Sequence, residues 1–317
     1  MGWLLTLLLA CVDADAPVVP GDDAPFELEV APGSTATRLT DRLEADGLVP
    51  SSFAWRWFLR STDAGCIKAG RHEVRRSLSM RELLAELCGP PLPEDVPFTV
   101  VEGWRVVDID AALVAKGWIE AGAYVAVATP AAVPPPFPVP ADTLEGYLFP
   151  ETYGVLPDRF DPADLVRRQL ETFQARALPL LEGQERSVHA LVTMASMIER
   201  EEPTPAQRPV VAGILWKRLD AGWKLGVDAT SRYGLVDPTD RRAFLVRLRD
   251  PDDPFNTRLR QGLPPTPISN PGLASLAAAA RPVASEFWYY LHDGQGVFHG
   301  GRDAAHHDAN RRTYDVY

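Results

Sequence analysis

The sequence predicts an α+β protein built from two main folded parts. The chain has 317 residues, of which 46% are hydrophobic and 24% charged, so it can bury more than one hydrophobic core. Short strand-like segments alternate with helical ones in the first half, and longer helical segments dominate the second half. The chain holds 30 prolines, and a cluster of them over 128–140 separates the two halves.

The region 26–127 is predicted to form one or more small α+β modules. Ser79 and Glu82 have the spacing of a capping box, which predicts a helix beginning at this serine. Alternation and helical periodicity predict a strand at 26–30, helices at 35–46 and 50–60, an extended piece at 71–74, a helix after Ser79, a strand at 98–104 and a helix at 106–116.

The segment 128–142 is predicted to be a Pro-rich linker, because prolines exclude both helix and central strand. A second domain is therefore predicted over 143–317. Its elements are expected to be long helices at about 163–179, 186–202 and 206–221, a helix at 273–280, an aromatic strand at 287–291 and a terminal strand and helix.

The charge of the chain argues against nucleic acid as a partner. The 43 Asp and Glu residues outnumber the 32 Lys and Arg residues and leave a formal net charge of −11. A chain that neutralises phosphates needs the opposite sign.

The amino terminus has features of an export signal. A short apolar run over 4–10 precedes Cys11, followed by an acidic leader that completes the segment 1–25. The run is far shorter than the roughly 20 residues that span a bilayer, so a spanning helix is not predicted. We expect lipidation at Cys11, with a plain signal peptide or a clipped anchor as the alternatives. All of these predict an exported protein that faces the periplasm or the cell wall.

The other two cysteines, Cys66 and Cys88, lie 22 residues apart in the same module. In an oxidising compartment they could form a disulfide, but two buried thiols fit the spacing equally well. The chain has no CxxC motif and no Cys/His cluster, so we predict no structural zinc, no other metal site and no cofactor.

The segment 187–202 predicts a buried helix with an unusual end. Apolar residues cover two of its faces, and Pro203 stops it. Its last turn carries Glu199, Glu201 and Glu202 at the negative end of the helix dipole, where carboxylates are disfavoured. We expect a raised pKa for at least one of them, as a general acid requires. A solvated helix end is the alternative, and the pattern does not choose between the three.

This helix end also resembles a known signature. The sequence MASMIERE over 194–201 is similar to the catalytic motif of the YceG-like family of endolytic murein transglycosylases, the MltG proteins. Further motifs of the family follow in order: LEGYLFPETY over 144–153, VAG and KLGVDAT over 211–230, FNT and GLPPTPISNPG over 255–272, and DGQG at 293–296 with the histidines at 306–307. The resemblance implies a mostly helical α+β catalytic domain and, less specifically, LysM-like glycan-binding modules in 26–127.

By this resemblance Glu201 is the catalytic acid, where the family usually has Thr in place of the following Glu202. The reaction would cleave the MurNAc–GlcNAc bond within peptidoglycan strands and leave 1,6-anhydro-MurNAc ends, limiting strand length. Peptidoglycan is the implied substrate and peptidoglycan synthases are possible partners. The loop 262–272 would wall the cleft, and His299, His306 and His307 would be polar or edge residues rather than metal ligands.

Four polar residues are predicted to bind substrate, namely Asp228, Thr230, Asn256 and Thr257. Asp228 is the best candidate to orient a sugar or to stabilise oxocarbenium charge, and Asn256 and Thr257 could donate to sugar oxygens. The alternative for these residues is that they cap or stabilise turns. Trp288 or Tyr290, in the aromatic strand at 287–291, could stack on a sugar, although core packing fits them better.

Three other functions remain possible from the sequence. A hydrolytic muramidase would use the same cleft, with a second carboxylate to hold a water. A glycan-binding scaffold would need no catalytic acid. An aminodeoxychorismate lyase would need a Schiff-base lysine, and 143–317 contains only Lys217 and Lys224, so we discount it.

Overall fold

A computed structural model of the chain describes residues 13–62 and 65–316. The predicted lipidation site at Cys11 lies outside these residues. The chain divides after Asp95 into two compact units, which we describe separately. In the described part of the chain, no helix has both the length and the apolar character that crossing a membrane requires.

The first unit is a two-stranded sheet with helices packed on it. Its strands pair antiparallel, with Phe26 opposite Val74 and Val30 opposite Gly70. The elements in order are β1 (Phe26–Val30), α1 (Ala36–Ala45), α2 (Ser52–Leu59), β2 (Gly70–Val74) and α3 (Met80–Cys88). The predicted strands and helices of this region are confirmed, and so is the capping box of Ser79 at the start of α3.

The core of the first unit lies between the sheet and the helices. Trp55 of α2, Leu43 of α1 and Leu83 of α3 are completely buried in it. A disulfide joins Cys66, in the connection before β2, to Cys88 at the end of α3, with the two Cα atoms 5.0 Å apart. Of the two states that the spacing allowed, the structure therefore contains the disulfide.

The second unit is mostly helical and carries two short antiparallel sheets, β3 with β4 and β5 with β6. Its elements are β3 (Val96–Thr99), α4 (Val106–Ala115), α5 (Ala123–Val127), β4 (Thr152–Val155), α6 (Pro162–Arg176), α7 (Leu178–Leu181), α8 (Val188–Glu201), α9 (Arg208–Asp220), α10 (Asp228–Arg232), α11 (Arg241–Arg247), α12 (Leu273–Ala280), β5 (Tyr289–His292), β6 (Phe298–Gly301) and α13 (Ala304–Thr313). Helix α8 runs through the core and packs against α9, α10 and α12.

The compact division falls earlier in the chain than the predicted domain boundary. Strand β3 pairs with β4, and Ile109 of α4 is buried in the same core as α6 and α8, so 96–127 belongs to the second unit. The Pro-rich segment 128–142 contains neither helix nor strand, as predicted, but it is packed rather than a free linker. Phe137 is buried and stacks on Phe173 with ring centroids 5.2 Å apart.

Candidate active site

Helix α8 brings three glutamates to one end of a buried element. Ser187 caps its start and accepts a hydrogen bond from the backbone N–H of Ala190 at 3.2 Å. Residues 191–198 are all buried, as the helical periodicity of the sequence predicts. Pro203 has no N–H to continue the helix, which ends at Glu201.

The carboxyl of Glu201 lies in the wall of a cleft. Its Oε1 accepts a hydrogen bond from the backbone N–H of Ala229 at 3.2 Å, and its Oε2 accepts one from the Tyr290 hydroxyl at 3.2 Å. Burial raises the pKa of Glu201 and the Asp228 carboxylate raises it further, while the hydrogen bonds and His292 partly oppose these effects. The expected raised pKa at this helix end is confirmed for Glu201.

The other two glutamates of this turn are held in internal contacts. Glu199 forms a buried ion pair with Arg208 at 2.8 Å and accepts a hydrogen bond from the backbone N–H of Gly272 at 2.9 Å. Glu202 is fully buried, and its Oε2 lies 2.8 Å from Nε2 of His292. Of the three, only Glu201 lines the cleft.

The cleft has a volume of about 1200 Å³ and lies within the second unit. Distant parts of the chain form its walls. Helix α8 contributes Glu201, α10 contributes Asp228, α11 contributes Phe244, β5 contributes Tyr290 and α13 contributes His307. The volume is ample for an extended ligand such as a short saccharide.

Asp228 faces the same cleft as Glu201. It is the first residue of α10, and its side chain is 43% exposed. Nε of Arg258 donates a hydrogen bond to its Oδ1 at 2.7 Å. Asp228 is therefore an ion-paired carboxylate at the surface of the cleft.

The side chains of Thr230, Asn256 and Thr257 lie behind the cleft wall. Thr230 donates to the backbone carbonyl of Val227 at 2.7 Å, and Thr257 accepts from the N–H of the same residue at 3.0 Å. The Asn256 amide donates to the carbonyl of Arg247 at 2.8 Å. All three are buried and internally hydrogen-bonded, which differs from the substrate contact predicted for them. They hold the start of α10, which carries Asp228 and the Ala229 amide.

The loop 262–272 supports α8 from its buried side. Ser196 accepts a hydrogen bond from the backbone N–H of Ile268 at 3.0 Å. A Cβ added at Gly272 would meet the carboxylate of Glu102, which would have to move to make room for it. Among the described residues that line the cleft, none belongs to this loop, which corrects the expectation that it forms a cleft wall.

Strand β5 supplies two residues that sequence reasoning did not assign to the catalytic acid. Tyr290 donates to Glu201, and His292 contacts Glu202. They lie 89 and 90 residues from their partners, so no local spacing connects them. The available signal was their alternate positions on one strand, which place both on the same face.

The remaining histidines differ in their surroundings. His307 lines the cleft and stacks on Tyr289 with ring centroids 5.2 Å apart, while His299 lies 2.9 Å from a carboxylate oxygen of Asp293. Over 13–62 and 65–316, no three His, Cys, Asp or Glu side chains are grouped as metal ligands.

Comparison with known proteins gives one consistent result for family and fold. A profile of the YceG-like family matches residues 28–313. A YceG-like protein from Listeria monocytogenes, known from a crystal structure, superposes with a TM-score of 0.59 at 22% identity, over 90% of this chain and 99% of that one. This likeness concerns the fold.

Two curated relatives carry the name endolytic murein transglycosylase. The protein from Bacillus subtilis (strain 168) is 24% identical, over 94% of this chain and 87% of its own length. The protein from Streptococcus pneumoniae serotype 2 (strain D39 / NCTC 7466) is also 24% identical, over 88% of this chain, but the match spans only 56% of the pneumococcal protein.

Proposed function

The chain belongs to the YceG-like family, and from this premise we propose that it is an endolytic murein transglycosylase. It would cleave the MurNAc–GlcNAc bond within peptidoglycan strands and leave 1,6-anhydro-MurNAc ends. By doing so it would limit the length of glycan strands during cell-wall synthesis. The names of the curated relatives support this activity.

The observation that carries the proposal is the position of Glu201. Its carboxyl combines a raised pKa with access to a cleft of about 1200 Å³. A protonated Glu201 would donate its proton to the glycosidic oxygen as the bond from C1 breaks. The resulting carboxylate would then take the proton of the C6 hydroxyl of the same sugar, whose oxygen attacks C1 and closes the anhydro ring. The glutamate ends each turnover protonated, and no water is consumed.

The surroundings of Glu201 suit both steps. The Ala229 amide and the Tyr290 hydroxyl each donate to the carboxyl, so they orient it and stabilise its charged form between the steps. Asp228 adds negative charge that would favour an oxocarbenium-like C1. An inverting hydrolase would use such a carboxylate to activate a water, and here that carboxylate is paired with Arg258.

The first unit and the amino terminus would bind glycan and anchor the chain. The first unit would bind glycan in the manner of a LysM module, and its strand–helix–helix–strand order is compatible with this. The disulfide between Cys66 and Cys88 supports an exported location. Membrane attachment through Cys11 and work beside peptidoglycan synthases rest on the sequence and on the proposed reaction.

Mass spectrometry of the products from purified peptidoglycan tests the function. We expect the full chain to release fragments that end in 1,6-anhydro-MurNAc, made from strand interiors, and Glu201→Gln to release none. Reducing ends one water heavier would identify a muramidase. Glycan left intact by the wild-type chain would favour a binding scaffold.

A further inference from the structure

The charge of the cleft is opposite to that of the chain. Among the described residues that line it, five are arginines and two are carboxylates. The whole chain, by contrast, has a formal net charge of −11. A concave wall that concentrates cations in an acidic protein creates a local positive field, which attracts anionic ligands. The sugar backbone of a glycan is neutral and does not account for this field.

Part of this positive charge is left uncompensated by the protein. Arg258 pairs with Asp228, and Arg311 lies 4.0 Å from Asp308. In the described part of the chain, no carboxylate lies within ion-pair distance of the other three arginines of the cleft. These three are Arg218, Arg232 and Arg241.

Arg218 is the most informative of these arginines because it is half-buried. Its Nε and one terminal nitrogen donate to the backbone carbonyls of Trp288 and Leu225, each at 2.6 Å, and its guanidinium lies over the ring of Tyr289. Burial lowers the pKa of this guanidinium. Holding a cation in the wall without a carboxylate costs solvation, which an anionic ligand in the cleft would restore.

Arg241 is the most accessible of them. It lies at the start of α11, is exposed, and its guanidinium makes no hydrogen bond to another described residue. The next residue, Arg242, is also exposed on the same helix but does not line the cleft. The two residues therefore provide a matched pair that separates cleft charge from overall charge.

We propose that the arginines of the cleft bind the carboxylates carried by the muramyl residues of the glycan strand, which makes these carboxylates part of what the enzyme recognises. The inference rests on the proposed function, because it names the substrate groups that the same cleft takes. In peptidoglycan such carboxylates come from the peptide stems, or from the lactyl ether where the stem has been removed. Both present the planar anion that a guanidinium binds with two hydrogen bonds.

Binding to the full chain carrying Glu201→Gln tests the inference without requiring turnover. The probes are fluorescently labelled, uncross-linked glycan strands with peptide stems, the same strands stripped by an amidase, and a neutral chitin oligosaccharide of equal length. We expect the stem-bearing strand to bind at least about tenfold more tightly than chitin, and this preference to shrink as salt rises.

The arginine pair gives the decisive comparison. Added to Glu201→Gln, Arg241→Glu should weaken binding of stem-bearing strands about tenfold, while Arg242→Glu leaves it unchanged. If the loss at Arg241→Glu disappears on stripped strands, the stem carboxylates are the bound groups, and if it persists, the site also binds the lactyl carboxylate that removal of the stem exposes.

Two results would overturn the inference: equal, salt-independent binding of chitin and murein strands, or equal effects of the two arginine variants. Release of anhydro ends by the wild-type chain is measured separately. A failure of the proposed function is thus distinguished from a failure of the carboxylate site. The salt dependence uses no arginine variant, so it remains informative even if Arg241→Glu lowers stability.

Discussion

Glu145 and Glu201 are two buried carboxyls of the second unit whose surroundings differ. The pKa of each is raised above its ordinary value. Burial raises the pKa of both, and that of Glu145 reaches about 8. Glu145 is 3% exposed and accepts hydrogen bonds from the backbone N–H of Val106 and from the Asn270 amide, at 3.1 Å each. Glu201 accepts hydrogen bonds from the backbone N–H of Ala229 and from the Tyr290 hydroxyl, and it lines the cleft.

The difference between these regions concerns access. A raised pKa reports that a carboxyl has lost water, and structural and catalytic groups share that property. Glu145 joins α4 to the loop that carries Asn270, and it is closed off from any ligand. The carboxyl of Glu201 is also desolvated, but it lines the cleft, where a substrate can bind. Glu201 therefore has the position for a chemical role, and Glu145 has that of a structural group.

The largest expected effect is on turnover. Glu201→Gln keeps the shape of the side chain and removes its exchangeable proton, so kcat/KM for release of anhydro ends should fall about 10²- to 10⁴-fold. Glu145→Gln should keep most of the activity, because its side chain does not reach the cleft. Circular dichroism of both variants checks that they fold. Loss of turnover in Glu145→Gln with a native spectrum would break the comparison.

A third carboxyl, that of Glu199, extends the comparison to stability. It is 5% exposed and its partner Arg208 is 6% exposed, so Arg208→Met would leave a buried charge unpaired. The free energy of unfolding should fall by about 3–5 kcal/mol, measured by urea denaturation. The exposed pair of Arg167 and Asp164 provides the control, where Arg167→Met should cost less than about 1 kcal/mol.

The double variant Arg208→Met with Glu199→Met should regain most of this stability, because no unpaired charge remains. Equal losses in the single and double variants would mean that the arginine contributes by packing alone.

The pH dependence of stability should separate Glu145 from exposed glutamates. Its pKa is about 8 in the folded chain and ordinary in the unfolded chain, so the folded state binds more protons between about pH 4.5 and 8. The contribution of Glu145 is therefore full below pH 4.5 and is lost as the pH rises through 8.

Glu145→Gln should remove most of that fall in unfolding free energy, roughly 5 kcal/mol for a pKa raised to about 8, as measured by urea denaturation at several pH values. Glu182→Gln, at an exposed position, is the control and should keep the wild-type slope. An unchanged slope in Glu145→Gln would contradict the raised pKa.

The smallest expected effect concerns the hydroxyl of Tyr290. Tyr290→Phe leaves the ring in place and removes one hydrogen bond that stabilises the carboxylate formed as Glu201 gives up its proton, so kcat/KM at pH values below the alkaline limb should fall roughly two- to tenfold. Tyr289→Phe is the matched control, because Tyr289 lines the cleft without a hydrogen bond to Glu201. Equal losses in both variants would indicate a general effect of the cleft aromatics rather than support of the acid.

Local features of the chain could be predicted where a sequence pattern has a direct physical cause. Periodicity predicted the buried helix that became α8, and the spacing of Ser79 and Glu82 predicted the capping box. Carboxylates at the negative end of the helix dipole are disfavoured, which predicted a raised pKa at this helix end. For Glu201 the largest cause of the raised pKa is burial. The choice of Glu201 among the three came from the resemblance and not from the pattern.

Long-range features could not be predicted in this way. Thr230, Asn256 and Thr257 have side chains suited to binding sugar, but residue type does not report burial, and internal partners use their hydrogen bonds. Tyr290 reaches Glu201 only through the placement of β5. The Pro-rich segment resembled a linker because proline excludes helix and strand, whereas Phe137 packs it into the core.

We expect the carboxyl of Glu201, rather than another buried acid, to control the reaction. The alkaline limb of kcat/KM against pH reports the ionisation of this acid, since activity falls as the acid loses its proton. The Tyr290 hydroxyl stabilises the charged form of Glu201, so Tyr290→Phe should move the limb to higher pH and Glu145→Gln should leave it in place. A limb that moves with Glu145→Gln and not with Tyr290→Phe would contradict the account.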